Sequence, residues 1–333
     1  MKKSHIVAFL VLALAALALF SYIPSMEESE KLVIFHAGSL SVPIAEVSNE
    51  FRNMRNVEIQ AESSGSVEAV RKVTELGKEA DLIALADYGL IPKMLIPEYA
   101  DFYVIFATNE IVIAYSNQSK YANEISPDNW FEVLSKNDVT FGFSDPNKDP
   151  CGYRSLIALK LASIYYGKPI FEELVERNTN VYAEGNEIIV PKEVQTNEKV
   201  TVRAKEVDLT ALVETGALDY FFIYKSVAMQ HGLRFVELPK EVNLGDYSKK
   251  DYYSQISVLL GYNNEKILAE PIAYGATILK NAPNKKIALE YLKFMLSERG
   301  REIFEKNYQH FLFPALAYGE VPDELRGVVK EVQ

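Results

Sequence analysis

Cysteine is almost missing from the 333-residue chain: Cys151 stands alone, so an internal disulfide, a thiolate metal cluster and a lipid anchor on an N-terminal cysteine are all excluded. Basic residues are outnumbered, 35 Lys plus Arg against 46 Asp plus Glu, and the formal charge of -11 argues against a surface that must neutralise nucleic-acid phosphates. Tryptophan occurs once, as Trp130. No glycine-rich run ends in Gly-Lys-Ser or Gly-Lys-Thr, and no Gly-x-Gly-x-x-Gly follows a strand, which disfavours nucleotide binding. Ser39 and Ser66 lack the Gly-x-Ser-x-Gly frame of a nucleophile elbow, and His5, His36, His231 and His310 are scattered without metal-ligand spacing. After about Ser25 no stretch approaches the roughly 20 apolar residues of a membrane span.

What is present is globular, with 48% hydrophobic and 24% charged residues. At roughly 150 residues per domain the length suggests two cores. Lys2 and Lys3 precede fifteen uninterrupted apolar residues, Ile6 to Phe20, and an acidic stretch follows. This is the pattern of an export signal, or of an N-terminal anchor if it is not cleaved, with the lysines held inside. The remainder is then expected on the outer face of the cytoplasmic membrane, where Asn117-Gln118-Ser119 fits a glycosylation acceptor.

Short apolar runs then alternate with helical patterns. Lys31 to His36 reads as a buried strand, and Ile44, Val47, Phe51 and Met54 mark one apolar face of a helix over Ser41 to Met54. A strand at Val57 to Ala61, a helix from Val67 to Lys78 and a strand at Asp81 to Leu85 continue the alternation, which predicts a parallel, open, doubly wound sheet. The β-like stretch from Tyr103 to Tyr115 is longer than one strand needs and suits a crossing between domains. A second α/β unit follows: a strand at Val139 to Phe143, a turn at Ser144 to Gly152, a helix from Tyr153 to Tyr166, a helix near Leu209 to Glu214 and a strand at Tyr220 to Tyr224. Thr179 to Lys199 reads as a surface loop or hairpin. A strand at Ile272 to Leu279 and two helices ending near Phe304 are placed back on the first unit. The expected organisation is an N-terminal segment 1–30, a first lobe 31–107, a second lobe 108–268 and a return 269–333, with two connections forming a hinge.

Four turns link a strand to a helix: His36-Ala37-Gly38-Ser39, Ser63-Ser64-Gly65-Ser66, Asp149-Pro150-Cys151-Gly152, and the stretch from Glu206 to Leu209. In an open α/β sheet such turns lie at the carboxyl ends of strands, where ligands bind. Helix starts carry unpaired N–H donors and about half a positive charge, enough to hold an oxyanion without a lysine or arginine. For one turn alone, ordinary capping by Ser39, Ser64 or Ser66 is the simpler reading; several together favour a ligand. His36 at a strand end is either a hydrogen-bonded structural histidine or a cleft residue.

The segments VIFHAGSLSVP, ESSGSVEAVRKV, ADLIALAD, FSDPNKDPCGYRS, ALDYFFIYKS and AYGATILKNAPN, in that order over Lys31 to about Tyr318, resemble the archaeal molybdate/tungstate-binding proteins of ABC transporters. The resemblance implies an α/β type II periplasmic-binding-protein fold: two doubly wound lobes joined by a hinge and closing on a tetrahedral oxyanion. It places Gly38 and Ser39 on a first anion-binding turn, Ser64 or Ser66 on a second, and Asp149 to Cys151 on a third. Tyr224 falls on the family's hydroxyl donor. A site position of related bacterial proteins, 18 residues before that tyrosine, falls on Glu206. The archaeal family further implies that Asp149 and Glu206 bond to the tungsten or molybdenum centre itself, with Asp145 the nearest rival to Asp149 and a turn cap otherwise.

These expectations describe a non-enzymatic, monomeric receptor that needs no cofactor besides its ligand, tungstate or molybdate. Its partners would be an ABC permease with its ATPase and, through the N-terminal segment, the membrane; nucleic acid is not among them. Competing readings are the same fold on sulfate or phosphate, an exported hydrolase using Asp149 and Glu206 as acid and base, and a surface adhesion protein.

Overall fold

The computed structural model describes residues 30–332; the N-terminal segment before them, with its apolar run and His5, lies outside the described residues. In chain order the strands are β1 (Glu30–Ala37), β2 (Val57–Ser64), β3 (Leu82–Leu85), β4 (Phe102–Thr108), β5 (Ile111–Tyr115), β6 (Phe141–Ser144), β7 (Tyr182–Glu184) and β8 (Glu187–Val190). They continue with β9 (Val200–Arg203), β10 (Tyr220–Tyr224), β11 (Arg234–Glu237), β12 (Ser257–Leu260), β13 (Glu265–Leu268), β14 (Ala273–Ile278), β15 (His310–Gly319) and β16 (Val329–Glu331). The longer helices are α1 (Ser41–Met54), α2 (Ser66–Thr74), α3 (Pro150–Tyr166), α4 (Lys285–Met295) and α5 (Glu298–Lys306).

Three sheets result among the described residues. A seven-stranded sheet runs β16-β15-β4-β14-β3-β1-β2, a five-stranded sheet runs β11-β5-β10-β6-β9, and a four-stranded sheet runs β13-β12-β8-β7. The first two are the cores of two α/β lobes. Tyr103 to Tyr115 splits at Asn109 and Glu110: β4 belongs to the first sheet and β5 to the second. Beside that crossing the backbone segments near Asn243 and Ile272 are hydrogen-bonded to it, Ile111 N–H donating to Asn243 O (2.8 Å) and Asn109 N–H to Ile272 O (3.3 Å). Two segments, 109–110 and 269–272, pass into and out of the first sheet, and the stretch near Asn243 is hydrogen-bonded beside them.

Pairing is mixed rather than uniformly parallel. β1 and β3 are parallel, as alternation predicts, but β14 runs antiparallel to both β3 and β4. It enters from the hinge rather than through a crossover helix, so no handedness rule fixes its direction. β15 and β16 follow the last helix and extend the same sheet, an addition the sequence pattern does not announce. Thr179 to Lys199 holds the β7–β8 hairpin, with β8 parallel to β12.

The helix after β6 begins at Pro150, three residues earlier than its pattern suggests. Asp149 caps it, its side chain accepting from Cys151 N–H, Pro150 sits in the first turn, and Gly167 at φ 61 ends it. Twelve of its residues are buried, so it packs on more than one side and carries little amphipathic signal. No helix among the described residues is long and apolar enough to cross a membrane.

Candidate functional site

Strand β1 is buried over its second half and delivers Gly38 and Ser39 to a single 3-10 turn before α1. A Cβ on Gly38 would lie 3.1 Å from both carboxyl oxygens of Glu206, so the missing side chain is what admits that carboxyl against the backbone. Glu206 opens the 3-10 turn that follows β9 and is 1% exposed. Its backbone N–H donates to Asp149 Oδ2 at 2.8 Å, while Asp149 Oδ1 accepts from Cys151 N–H at 3.1 Å. One carboxylate thus ties the third turn to the fourth.

Both carboxyl oxygens of Glu206 are buried without a hydrogen-bond partner. Burial, and next the charge of Asp149, push the Glu206 carboxyl well above its ordinary 4.5. A buried carboxyl beside a second one is costly. The same burial, with Asp149 and Glu206 close by, raises the Cys151 thiol and keeps it unreactive.

The second turn distinguishes its serines. Ser66 Oγ accepts from Ala86 N–H at 2.9 Å, and Ser64 Oγ is buried with no partner. Between them Gly65 lets the lobes touch: a Cβ there would be 2.3 Å from Lys148 O, which accepts from Glu68 N–H at 3.3 Å. Tyr224 ends β10 fully buried, and burial raises its hydroxyl well above the usual tyrosine range.

Several of the residues meeting here carry little or no sequence signal of a site. Arg154 is 4% exposed and donates through one guanidinium nitrogen to Tyr224 Oη (2.9 Å) and Ala86 O (2.5 Å). The other terminal nitrogen stands 3.5 Å from Asp87, to which Tyr153 also donates. Burial opposes its charge, but Tyr224 and Asp87 outweigh that and raise its pKa. The sequence reading places no cation among these turns; the structure sets Arg154 directly against Tyr224. An arginine in the first turns of a helix whose one other charge is Lys160 was the available clue. Tyr274 donates to Ser39 Oγ at 3.3 Å and Gln309 to Ser39 O at 2.8 Å, both from the far end of the chain.

Other candidates fall away from the cluster. Asp145 caps its own turn, Oδ1 accepting from Asn147 N–H at 3.0 Å, and pairs with Lys148. His36 Nδ1 pairs with Ala37 O at 2.8 Å and burial lowers its pKa, so it is a neutral structural histidine. An open cleft of about 380 Å³, lined by Asp87, Tyr88, Tyr153 and Glu265 among others, shares Arg154 with the cluster.

Two lobes on a hinge, with strand-to-helix turns from both meeting at one buried spot, define a solute-binding protein. Residues 32–308 match the bacterial extracellular solute-binding protein family, and the chain belongs to it. The molybdate/tungstate-binding protein WtpA of Pyrococcus abyssi is 57% identical over 313 residues, 91% of each chain. Its namesake in Thermococcus kodakarensis is 55% identical over 342 aligned residues, 97% of each. Among solved structures, the periplasmic molybdate-binding protein of Azotobacter vinelandii has a TM-score of 0.58 at 14% identity, covering 84% of this chain and 98% of that one, a likeness of fold.

Proposed function

We propose that this chain is the substrate-binding protein of an ABC importer that captures molybdate or tungstate between its lobes and delivers it to a membrane permease driven by an ATPase. Export is by the apolar N-terminal run, as a cleaved signal or a retained anchor, and the protein acts outside the cytoplasmic membrane without catalysing a reaction.

One observation carries the reading: the Glu206 carboxyl, buried and without a hydrogen-bond partner, lies against Gly38 with Asp149 alongside. Two carboxylates are too few for a bare calcium ion, which takes roughly six to eight oxygens. They are the number that raises a four-oxo metal centre to about six ligands, oxygen donors suiting a hard, high-valent metal. Each carboxylate oxygen has two lone pairs, so the amide bonds to Asp149 leave it a free direction on both. Gly38 and Ser39 offer amides and a hydroxyl, Ser64 a free hydroxyl, Ser66 its proton, and Tyr224, whose oxygen accepts from Arg154, its own proton. Cys151 supports Asp149 through its amide. Coordination to the metal would distinguish tungstate and molybdate from sulfate and phosphate, and an acid-base pair would not need Asp149 to cap a helix and hold the Glu206 amide together.

Native mass spectrometry with tungstate, molybdate, sulfate and phosphate at equal concentration tests this. One tungstate or molybdate per chain, resistant to a large excess of sulfate, is the expected result; equal occupancy by sulfate, or none by any oxyanion, refutes it.

A further inference from the structure

Whether a hydroxyl in this site donates or accepts is decided two residues away from it. Asn109 lies at the hinge crossing. Its Oδ1 accepts from Glu110 N–H at 3.0 Å and Ser226 N–H at 3.4 Å, groups that can only donate, which settles the orientation of the amide. The Nδ2 branch therefore donates, to Ser226 Oγ at 2.7 Å and to Tyr274 Oη at 2.8 Å. With its oxygen so occupied, Tyr274 directs its own proton to Ser39 Oγ at 3.3 Å. Ser39 has a single proton, its oxygen already accepts, and among the described residues no acceptor takes that proton.

We infer that Asn109 and Tyr274 are positioning residues for anion capture: the relay from the Asn109 amide through the Tyr274 hydroxyl fixes Ser39 as a hydrogen-bond donor toward the cleft. This rests on the oxyanion reading above. An oxyanion offers only acceptors, so a hydroxyl free to rotate must first be oriented, whereas one polarised in advance is ready. Asn109 directly follows β4 and Tyr274 lies on its paired neighbour β14, while both are far in sequence from Ser39, 235 residues in the case of Tyr274.

A double-mutant cycle read by tungstate calorimetry tests the relay. Tyr274→Phe keeps the ring and removes the hydroxyl; it is expected to weaken tungstate binding roughly tenfold in the wild-type background and less than about twofold in a Ser39→Ala background. Asn109→Asp, which puts an acceptor where the amide donates, is expected to show the same dependence on Ser39 beyond any charge effect common to both backgrounds. Equal losses with and without the Ser39 hydroxyl, or no loss from Tyr274→Phe, would overturn the inference. Failure of the wild-type protein to bind tungstate would instead overturn the functional reading, and thermal unfolding of each variant confirms that it is folded.

Discussion

Replacing Glu206 by glutamine separates the cost of this site from its use. In the ligand-free protein the Glu206 carboxyl is buried, unpaired and beside Asp149. Its folded pKa lies above the ordinary 4.5, so between that value and the raised one the native state holds a proton the unfolded chain has lost. Stability from this group is therefore greatest at low pH and falls as pH rises through that window. Glutamine cannot ionise, which removes the slope. Each pH unit inside that window is worth about 1.4 kcal/mol, and at roughly 2–4 °C per kcal/mol the ligand-free Tm should rise at pH 8 and change less near pH 5. Binding moves the other way. Loss of one of the two carboxylates proposed to bond the metal, at about 3 kcal/mol, would weaken tungstate roughly 150-fold. Tungstate at 100 times the wild-type Kd stabilises the wild type by about 2.7 kcal/mol; the variant, at about two-thirds of its own Kd, would gain only about 0.3 kcal/mol. Differential scanning fluorimetry at both pH values, with and without tungstate, reads all of these. A lower ligand-free Tm at pH 8, or an unchanged tungstate shift, would refute the reasoning.

Two further changes probe closure. Gly65 has φ -62 and ψ 145, which any residue adopts, so Gly65→Ala should fold normally while its Cβ, 2.3 Å from Lys148 O, holds the lobes apart; X-ray scattering should show the variant more expanded than wild type in tungstate, with affinity at least about tenfold weaker, and an identical radius of gyration would count against it. Arg71 stacks on Tyr262 at 3.3 Å from the ring centroid and donates to Asn147 O at 3.4 Å, so helix α2 of the first lobe grips the β12–β13 turn and the loop before Asp149. Tyr262→Ala should remove about 1.5 kcal/mol of that grip and speed tungstate release roughly tenfold with little change in association; stopped-flow rates that leave dissociation unchanged would exclude the clamp.

Much of this molecule is legible one segment at a time. Helix α1 was readable at both ends because Ile44, Val47 and Phe51 face the core at helical spacing, and β10 because Tyr220 to Tyr224 is one unbroken apolar run. The strand-to-helix turns bearing Gly38, Gly65, Asp149 and Glu206 were readable for a related reason: small residues and caps at strand ends are local chemistry, written within a few positions. Direction and partnership are not local. β14 runs antiparallel because it arrives from the hinge, and nothing within Ala273–Ile278 records that. Asp149 and Asp145 look alike in sequence, yet only the fold brings the Glu206 amide to Asp149 and leaves Asp145 to its own turn. Arg154 reaches Tyr224, Tyr274 reaches Ser39 and Asn109 reaches Tyr274 through contacts of 70, 235 and 165 residues' separation, which only tertiary packing creates. The sequence determined which short elements form and which turns are open to a ligand, since those depend on neighbours a few bonds away; the tertiary structure decided which carboxyl is stranded, where the cation stands and which way each hydroxyl points.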